Sequence, residues 1–308
     1  MGILYRGELV AFAIIAFAAA TLCLSLALSE TRIEWSAFYW GFFLNAILFA
    51  VGLLIRGREI LARFSVTFFA LGLYPLFSSV QALVFSLQFP LHRPLIDDQL
   101  FALDAWVGYD WAAAVEWLAQ YPVLAQVLAY AYASSLGQLL VLLLLLGLTG
   151  RTARLHHLMV TGMLSAVILC AFWIIWPSFG PSAYLTPDPA AVAGASLIVT
   201  PDYGAQLMHL AEHGQDTIHR HKILGTVAFP SFHIVLAALA VWFARGTVLF
   251  WPLAAINLLV IPATAIHGGH HLVDLPAGVV LFALSCVLAR QLLGAGLPRI
   301  ARHSHAPA

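Results

Sequence analysis

The stretch HGGHHLVDLPAG, His267 to Gly278, sets three histidines and an aspartate at the head of a largely apolar run that continues to residue 292. Lipid is a poor solvent for such side chains: an ionised aspartate at the centre of a membrane helix costs about 2.5–3.5 kcal/mol, and polar groups kept there as a rule serve a function. His270 and Asp274 are four residues apart. In a helix that is one turn, so the carboxylate reaches the imidazole, fixes its tautomer and leaves the other ring nitrogen free as a nucleophile.

The rest of the chain supports a membrane setting. Of its 308 residues, 62% are apolar and 9% charged, which excludes an ordinary soluble domain. Runs long enough to cross a bilayer core lie near 9–28, 36–55, 64–89, 122–149, 155–176, 247–266 and 271–292. A shorter run at 231–244 opens with the polar sequence SFH and serves as an eighth span if that end faces a protein-lined cavity. The expected fold is all-α and polytopic, with about eight transmembrane helices. The first run is read as a retained helix, because a small-x-small cleavage site is missing. The formal net charge is zero, so no basic field points to nucleic acid. Cys23, Cys170 and Cys286 fall inside apolar runs without paired spacing and read as packing residues.

Basic residues set an expected orientation. Arg6, the group Arg56, Arg58 and Arg63, then Arg151 and Arg154, Arg245, and finally Arg290, Arg299 and Arg302 occupy alternate connections or a terminus. The positive-inside rule then makes both termini cytoplasmic in a plasma or inner membrane, with the acid-bearing connections outside. Two outer connections are long. Residues 90–121 mix acids with Trp106, Trp111 and Trp117, as helices at headgroup level do. Residues 178–230 have the length of a lid or site-forming loop. The division that follows is a two-helix extension at 1–63, a catalytic membrane domain at 64–295 and a cytoplasmic tail at 296–308.

In this topology FPSFH, Phe229 to His233, and HHLVD, His270 to Asp274, open two helices on the same outer face. His233 is then available to protonate a leaving oxygen, while Ser231 and the amides of its helix start can hold an anion. Those roles together suit the chemistry of a phosphate ester.

FPSFH followed by HHLVDLPAG resembles the second and third signatures of the type-2 phosphatidic acid phosphatase superfamily, and within it the branch of inositolphosphorylceramide and sphingomyelin synthases. The resemblance implies that His270 attacks phosphorus and becomes a phosphohistidine, that Asp274 orients it, and that His233 acts first as acid and then as base, without metal or cofactor. It also implies a six-helix core between about Phe64 and Arg290, whose fourth and sixth helices open with the two motifs. The substrate implied is a membrane lipid phosphoester. A hydroxyl acceptor makes the protein a headgroup transferase, for inositol phosphate or a similar group; water makes it a phosphatase of phosphatidate or polyprenyl phosphate.

Departures from the phosphatase pattern favour transfer. The first signature's lysine and Arg-Pro belong just after Trp176, where this chain reads PSFGPSAY, Pro177 to Tyr184. Arg93-Pro94 follows an earlier helix and has Ser86 where the lysine belongs, and the third signature's arginine is Thr264. Phosphate charge is therefore assigned to Ser231, Arg220, Lys222, His267 and Tyr184, with His219 and His221 nearby.

Two rival classes use the same residues. HGGHH is also HxxHH, and His209 with His213 gives HxxxH, two of the histidine boxes of a di-iron membrane oxidase; a third box is missing, since His156-His157 has no partner three residues earlier. A transporter or scaffold with polar helix ends would instead tolerate loss of His270. Gln81, Gln138 and Asn257, inside apolar runs, read as hydrogen bonders between helices.

Overall fold

A computed structural model describes residues 4–225 and 227–294, so the expected tail at 296–308, with Arg299 and Arg302, lies outside the described residues. The chain is helical almost throughout. Two long helices, α1 (Arg6–Leu28) and α2 (Tyr39–Leu54), precede α3 (Ala62–Ser86). Two short helices, α4 (Asp97–Val107) and α5 (Trp111–Ala119), lead into α6 (Pro122–Ala133), α7 (Ser135–Leu148) and α8 (Thr152–Ile175). A long connection carries α9 (Pro189–Gly194) and α10 (Pro201–His213), and α11 (Phe232–Ala244), α12 (Phe250–His267) and α13 (Asp274–Leu293) complete the bundle.

Among the described residues, six helices have the length and hydropathy to cross a membrane: α1, the helix ending in α2, α3, α8, α12 and α13. The pair α6 and α7 makes a seventh span if counted as one, bent by 47°. The break falls at Ser134, where Ser134 Oγ donates to the Ala131 carbonyl at 2.7 Å and Ser135 Oγ to the Tyr132 carbonyl at 2.9 Å. Carbonyls freed by a bend inside lipid need such partners, because water is not there to serve them. Helix α11 is apolar but only 13 residues long, about 20 Å at 1.5 Å per residue, short of a ~30 Å hydrocarbon core. The eighth span expected at 231–244 is thus a short helix rather than a full-length one.

Helix α11 occupies the middle of the bundle, packed against α7, α8, α12 and α13, while α3 lies on α7 and α8. Helices α1 and α2 pack on the outside of α3, and α1 also reaches α8. Glycines let the central helices close up: a Cβ on Gly278 would lie 2.5 Å from the Ser231 carbonyl and 3.0 Å from Ile234 Cβ. That contact draws the starts of α11 and α13 together. Across α7 and α12, Asn257 Nδ2 donates to Gln138 Oε1 at 2.5 Å, as the sequence led one to expect.

The connections that carry Arg6, Arg56, Arg151, Arg154 and Arg245 gather at one end of the bundle. Arg6 Nε donates to the Leu292 carbonyl at 2.9 Å, Arg151 to the Gly246 carbonyl at 2.8 Å and Arg154 to the Arg245 carbonyl. Arg56 grips the buried Glu8 through both carboxylate oxygens at 3.0 and 2.6 Å. At the other end, a two-residue strand between α1 and α2, β1 (Arg32–Ile33), runs parallel to β2 (Thr217–Ile218), and Glu34 meets His219 at 2.5 Å. These contacts tie the N-terminal pair to the long connection before α11.

Helices α4 and α5 have a buried face that the sequence reading did not give. Trp106 and Trp117 are exposed, as residues at a headgroup level would be, but the acids are not uniformly outward: Asp97 and Asp104 are buried, as is Trp111, whose indole donates to the Ile266 carbonyl at 2.9 Å. Positions 97 and 104 are two turns apart and share a helix face. That face packs on the bundle, so its acids find donors inside the protein.

Candidate active site

Three loops meet at the end of the bundle opposite the arginines: 177–184 after α8, 228–231 before α11, and 268–273 between α12 and α13. They interlock through backbone contacts. Ser178 Oγ accepts from Phe229 N–H at 2.9 Å, and the Ser178 carbonyl accepts from Ala228 N–H at 3.3 Å. Gly180 has φ +82°, and a Cβ there would collide with the Gly269 carbonyl. Gly269 has φ +60° and would bring a Cβ to 2.7 Å from Ser182 Oγ. Glycine at both positions allows a left-handed backbone and close passage of the two loops.

His270 does not stand in a helix. Helix α13 begins at Asp274, and His270 reaches it from the preceding turn, with Nδ1 2.9 Å from Asp274 Oδ2. The expected pairing is present, but the geometry is a loop residue bonded to the first helical residue. Asp274 suits that position because a carboxylate there faces the positive end of the helix dipole. A carboxylate only accepts, so the Nδ1 of His270 carries the proton and Nε2 the lone pair. Both side chains are buried, at 4% and 0% exposure, which shields the pair from water.

Ser231 stands at the N-cap of α11, yet its hydroxyl makes no cap bond. Its Oγ lies 3.4 Å from His270 Nε2, and its backbone N–H donates to the Asp274 carbonyl at 3.0 Å. At the second residue of the helix, the ring of His233 stacks on Tyr132, with centroids 3.9 Å apart and planes at 18°. His233 and His270 both line a cavity of about 470 Å³. The remainder of its wall is mostly apolar, with Phe77 of α3, Leu139 of α7 and Leu169 of α8 leading away from the histidines, and Gln81 among the few polar groups. Tyr203 of α10 closes over residues 223–225 by bonding Gly225 in both directions, at 3.0 and 2.5 Å.

The expected site residues therefore divide. His270, Asp274, Ser231 and His233 converge. Arg220 and Lys222 form one turn of 3-10 helix on the exposed surface beyond β2 and do not line the cavity. His267 is fully buried at the end of α12, where its carbonyl accepts from Val199 N–H at 2.9 Å; it too lies outside the cavity wall. Tyr184 packs edge-on against Phe101 of α4, at 5.6 Å. Burial, then the charge of Asp97, holds its phenol protonated to higher pH than usual. Among the described residues, no Lys or Arg lines the cavity. His270 and His271 of HxxHH bond different carboxylates, His267 shares neither, and among the described residues no group of three or more His, Cys, Asp or Glu is arranged as a metal-ligand set.

Sequence reasoning missed Tyr132, Ser178, His271 and the two acids of α4. Only the acids carried a legible signal: seven-residue spacing with Leu100 between them, the pattern of one buried helical face.

No curated protein and no solved structure matches the chain. A family model described as the PAP2 superfamily matches residues 98–288, more than half of the chain and both histidine motifs, and the protein accordingly belongs to the PAP2 superfamily.

Proposed function

We propose that the protein is a membrane phosphotransferase that opens a lipid phosphodiester through a phosphohistidine on His270 and hands the phosphorylated headgroup to a hydroxyl acceptor, in the manner of an inositolphosphorylceramide synthase. Membership of the superfamily supports phosphatase or phosphotransferase chemistry on lipid phosphates. The observation that carries the finer reading is the pair His270–Asp274, with its free Nε2 beside Ser231 Oγ at the head of an apolar cavity.

In the first step, Nε2 of His270 forms a bond to phosphorus while the bond from phosphorus to the lipid alcohol's oxygen breaks, and protonated His233 gives that oxygen its proton. Asp274 offsets the positive charge that grows on the His270 ring. Ser231 turns its O–H from Nε2 to a phosphoryl oxygen, and the α11 amides face the same anion. In the second step, neutral His233 takes the proton of an acceptor hydroxyl, whose oxygen bonds to phosphorus as the bond to Nε2 breaks. All groups named are the chain's own, so activity is expected to survive chelator.

Charge favours transfer from a diester over hydrolysis of a monoester. A phosphomonoester approaches two negative charges near neutral pH, a diester carries one, and this cavity has neither Lys nor Arg among its described lining residues. Histidines, a hydroxyl and helix amides are better matched to the single charge. The apolar wall suits a lipid chain. The arginine-bearing end is assigned to the cytoplasm by the positive-inside rule, which gives eight spans counting α11 and an active site facing outward.

The test presents purified protein in vesicles with matched lipids, phosphatidylinositol and phosphatidate, with and without a lipid hydroxyl acceptor. The reading expects cleavage of the diester, transfer that depends on the acceptor, and an acid-labile, base-stable phosphoadduct lost in His270→Ala. Faster turnover of phosphatidate, with phosphate passed to water alone, would make the protein a lipid phosphate phosphatase instead.

A further inference from the structure

Next to the nucleophile is a histidine that the reaction above leaves unused. His271 is fully buried, and α4 surrounds its ring from three positions on one face. Its Nδ1 is 2.7 Å from Asp104 Oδ2, its Nε2 is 3.5 Å from Asp97 Oδ1, and Phe101 meets it edge-on at 4.7 Å. Each acid also holds backbone. Asp104 Oδ1 accepts from Leu272 N–H at 2.9 Å, while Asp97 Oδ1 accepts from Gly180 N–H at 2.7 Å and from Phe179 N–H at 3.1 Å. From the opposite side, His271 N–H donates at 3.0 Å to Asp274 Oδ2, the same oxygen that holds His270.

The turn at 271–272 is thus held between two carboxylates, Asp104 from α4 and Asp274 from α13, and His270 projects from its leading edge. Burying two further acids in α4 is an expensive way to make a packing contact, since apolar residues of similar volume stabilise an interior at least as well. What the acids supply and apolar residues do not is direction: each carboxylate fixes two or more donors at set angles.

We propose that His271, held by Asp104 and Asp97, is a positioning residue that sets the backbone from which His270 projects and so aims Nε2 at phosphorus. The inference rests on the reading of His270 as the nucleophile. It extends the catalytic machinery to α4, a helix that lies outside both histidine motifs.

The geometry makes the two acids unequal under the same change. An asparagine at 104 has one acceptor oxygen for two donors, His271 Nδ1–H and Leu272 N–H, and turns its amide donor toward one of them. An asparagine at 97 can keep its oxygen at the Oδ1 position, which accepts from both Gly180 and Phe179, and gives up only the longer 3.2 Å contact of Phe179 N–H with Oδ2. Misplacing a reacting atom by about 1 Å is enough to lower a rate roughly 10²-fold.

The experiment measures single-turnover phosphoadduct formation on phosphatidylinositol, per folded molecule, in the full-length protein, alongside KM and thermal midpoint. Asp104→Asn is expected to lower the rate of adduct formation about 10–100-fold with KM within about threefold, and Asp97→Asn to lose several-fold less. His271→Gln, whose amide can still donate to Asp104, should recover much of the rate that His271→Ala loses. If Asp104→Asn does not accumulate as folded protein, the His271 pair decides. A lowered midpoint with a normal rate per folded molecule would reduce the network to a staple and overturn the proposal, as would equal losses in His271→Gln and His271→Ala. Should His270→Ala itself keep forming adduct, the failure belongs to the nucleophile assignment.

Discussion

Replacing Asp274 by asparagine removes one charge and leaves the shape of the site nearly intact. Asp274 Oδ2 faces two donors, His270 Nδ1–H at 2.9 Å and His271 N–H at 3.0 Å, whereas Oδ1 has no partner among the described residues. Two donors on one side select the orientation of the new amide: its oxygen takes the Oδ2 position and its NH2 the unpartnered one. The tautomer of His270 is thereby preserved, and what is lost is the carboxylate charge beside a ring that becomes positive as the bond to phosphorus forms. At the roughly 4 Å between carboxylate and ring centre, a full charge pair is worth about 4 kcal/mol at an effective dielectric of about 20. With about half of the charge developed in the transition state, the loss is about 2 kcal/mol, or about 30-fold in rate. An inverted tautomer would instead give a loss of about 10⁴-fold, the size seen when the aspartate of a hydrolase triad becomes asparagine. Rapid-quench measurement of phosphoadduct formation in Asp274→Asn, with folding checked by size exclusion, separates these outcomes. A rate equal to wild type would refute the electrostatic role, and a loss of 10⁴ or more would refute the preserved tautomer.

Three further outcomes follow from other parts of the molecule. His233→Ala should slow cleavage of lipid esters, whose alkoxide leaving group needs a proton, by about 10²–10⁴-fold and spare a nitrophenyl ester in the first step; equal losses on both would assign His233 to holding the phosphate. Burial opposes charge on His271, yet Asp97, Asp274 and Asp104 together raise its pKa above the ordinary histidine value. A raised folded pKa stabilises fully below the unfolded value of about 6.5 and loses that contribution as pH climbs through the folded one, so the thermal midpoint in detergent should fall over that range in wild type and fall less in His271→Gln. On the topology, a membrane-impermeant thiol reagent applied to intact cells should label cysteines introduced at 185–220 and miss those at 150–154; the reverse would invert the orientation.

The legible part of the site is the part that depends on short spacing. His270 and Asp274 are close in sequence, so one turn of chain was enough to pair them, although the pair forms from a loop into a helix start rather than along a helix. FPSFH and HHLVD could be matched because alternating spans return every second helix start to the same face. The hidden part is made by partners far apart in sequence. No local pattern says that Asp104 accepts from Leu272, that Tyr132 lies under His233, or that Gly180 passes the carbonyl of Gly269. The basic residues at 220 and 222 attracted attention because charge was missing elsewhere. Pairing between β1 and β2 holds their segment against the N-terminal helices instead, outside the cavity wall.

The bonds made by α4 also bear on how the protein is put together. Asp97 finds its amide donors 82 and 83 residues later in the chain, and Asp104 finds its partners 167 and 168 residues later. A chain emerging from the ribosome therefore makes α4 well before its carboxylates have partners: Asp97 stays hydrated until residues 179–180 arrive, and Asp104 until the turn at 271–272. Only then does leaving water become favourable. The segment from His270 into α13 brings with it the proposed nucleophile, its aspartate and the histidine that bonds Asp104, so a protein cut short before residue 270 is left with Asp104 unmatched as well as without the His270–Asp274 pair. Asp104 gains its partners and His270 its aspartate from the same short stretch of chain.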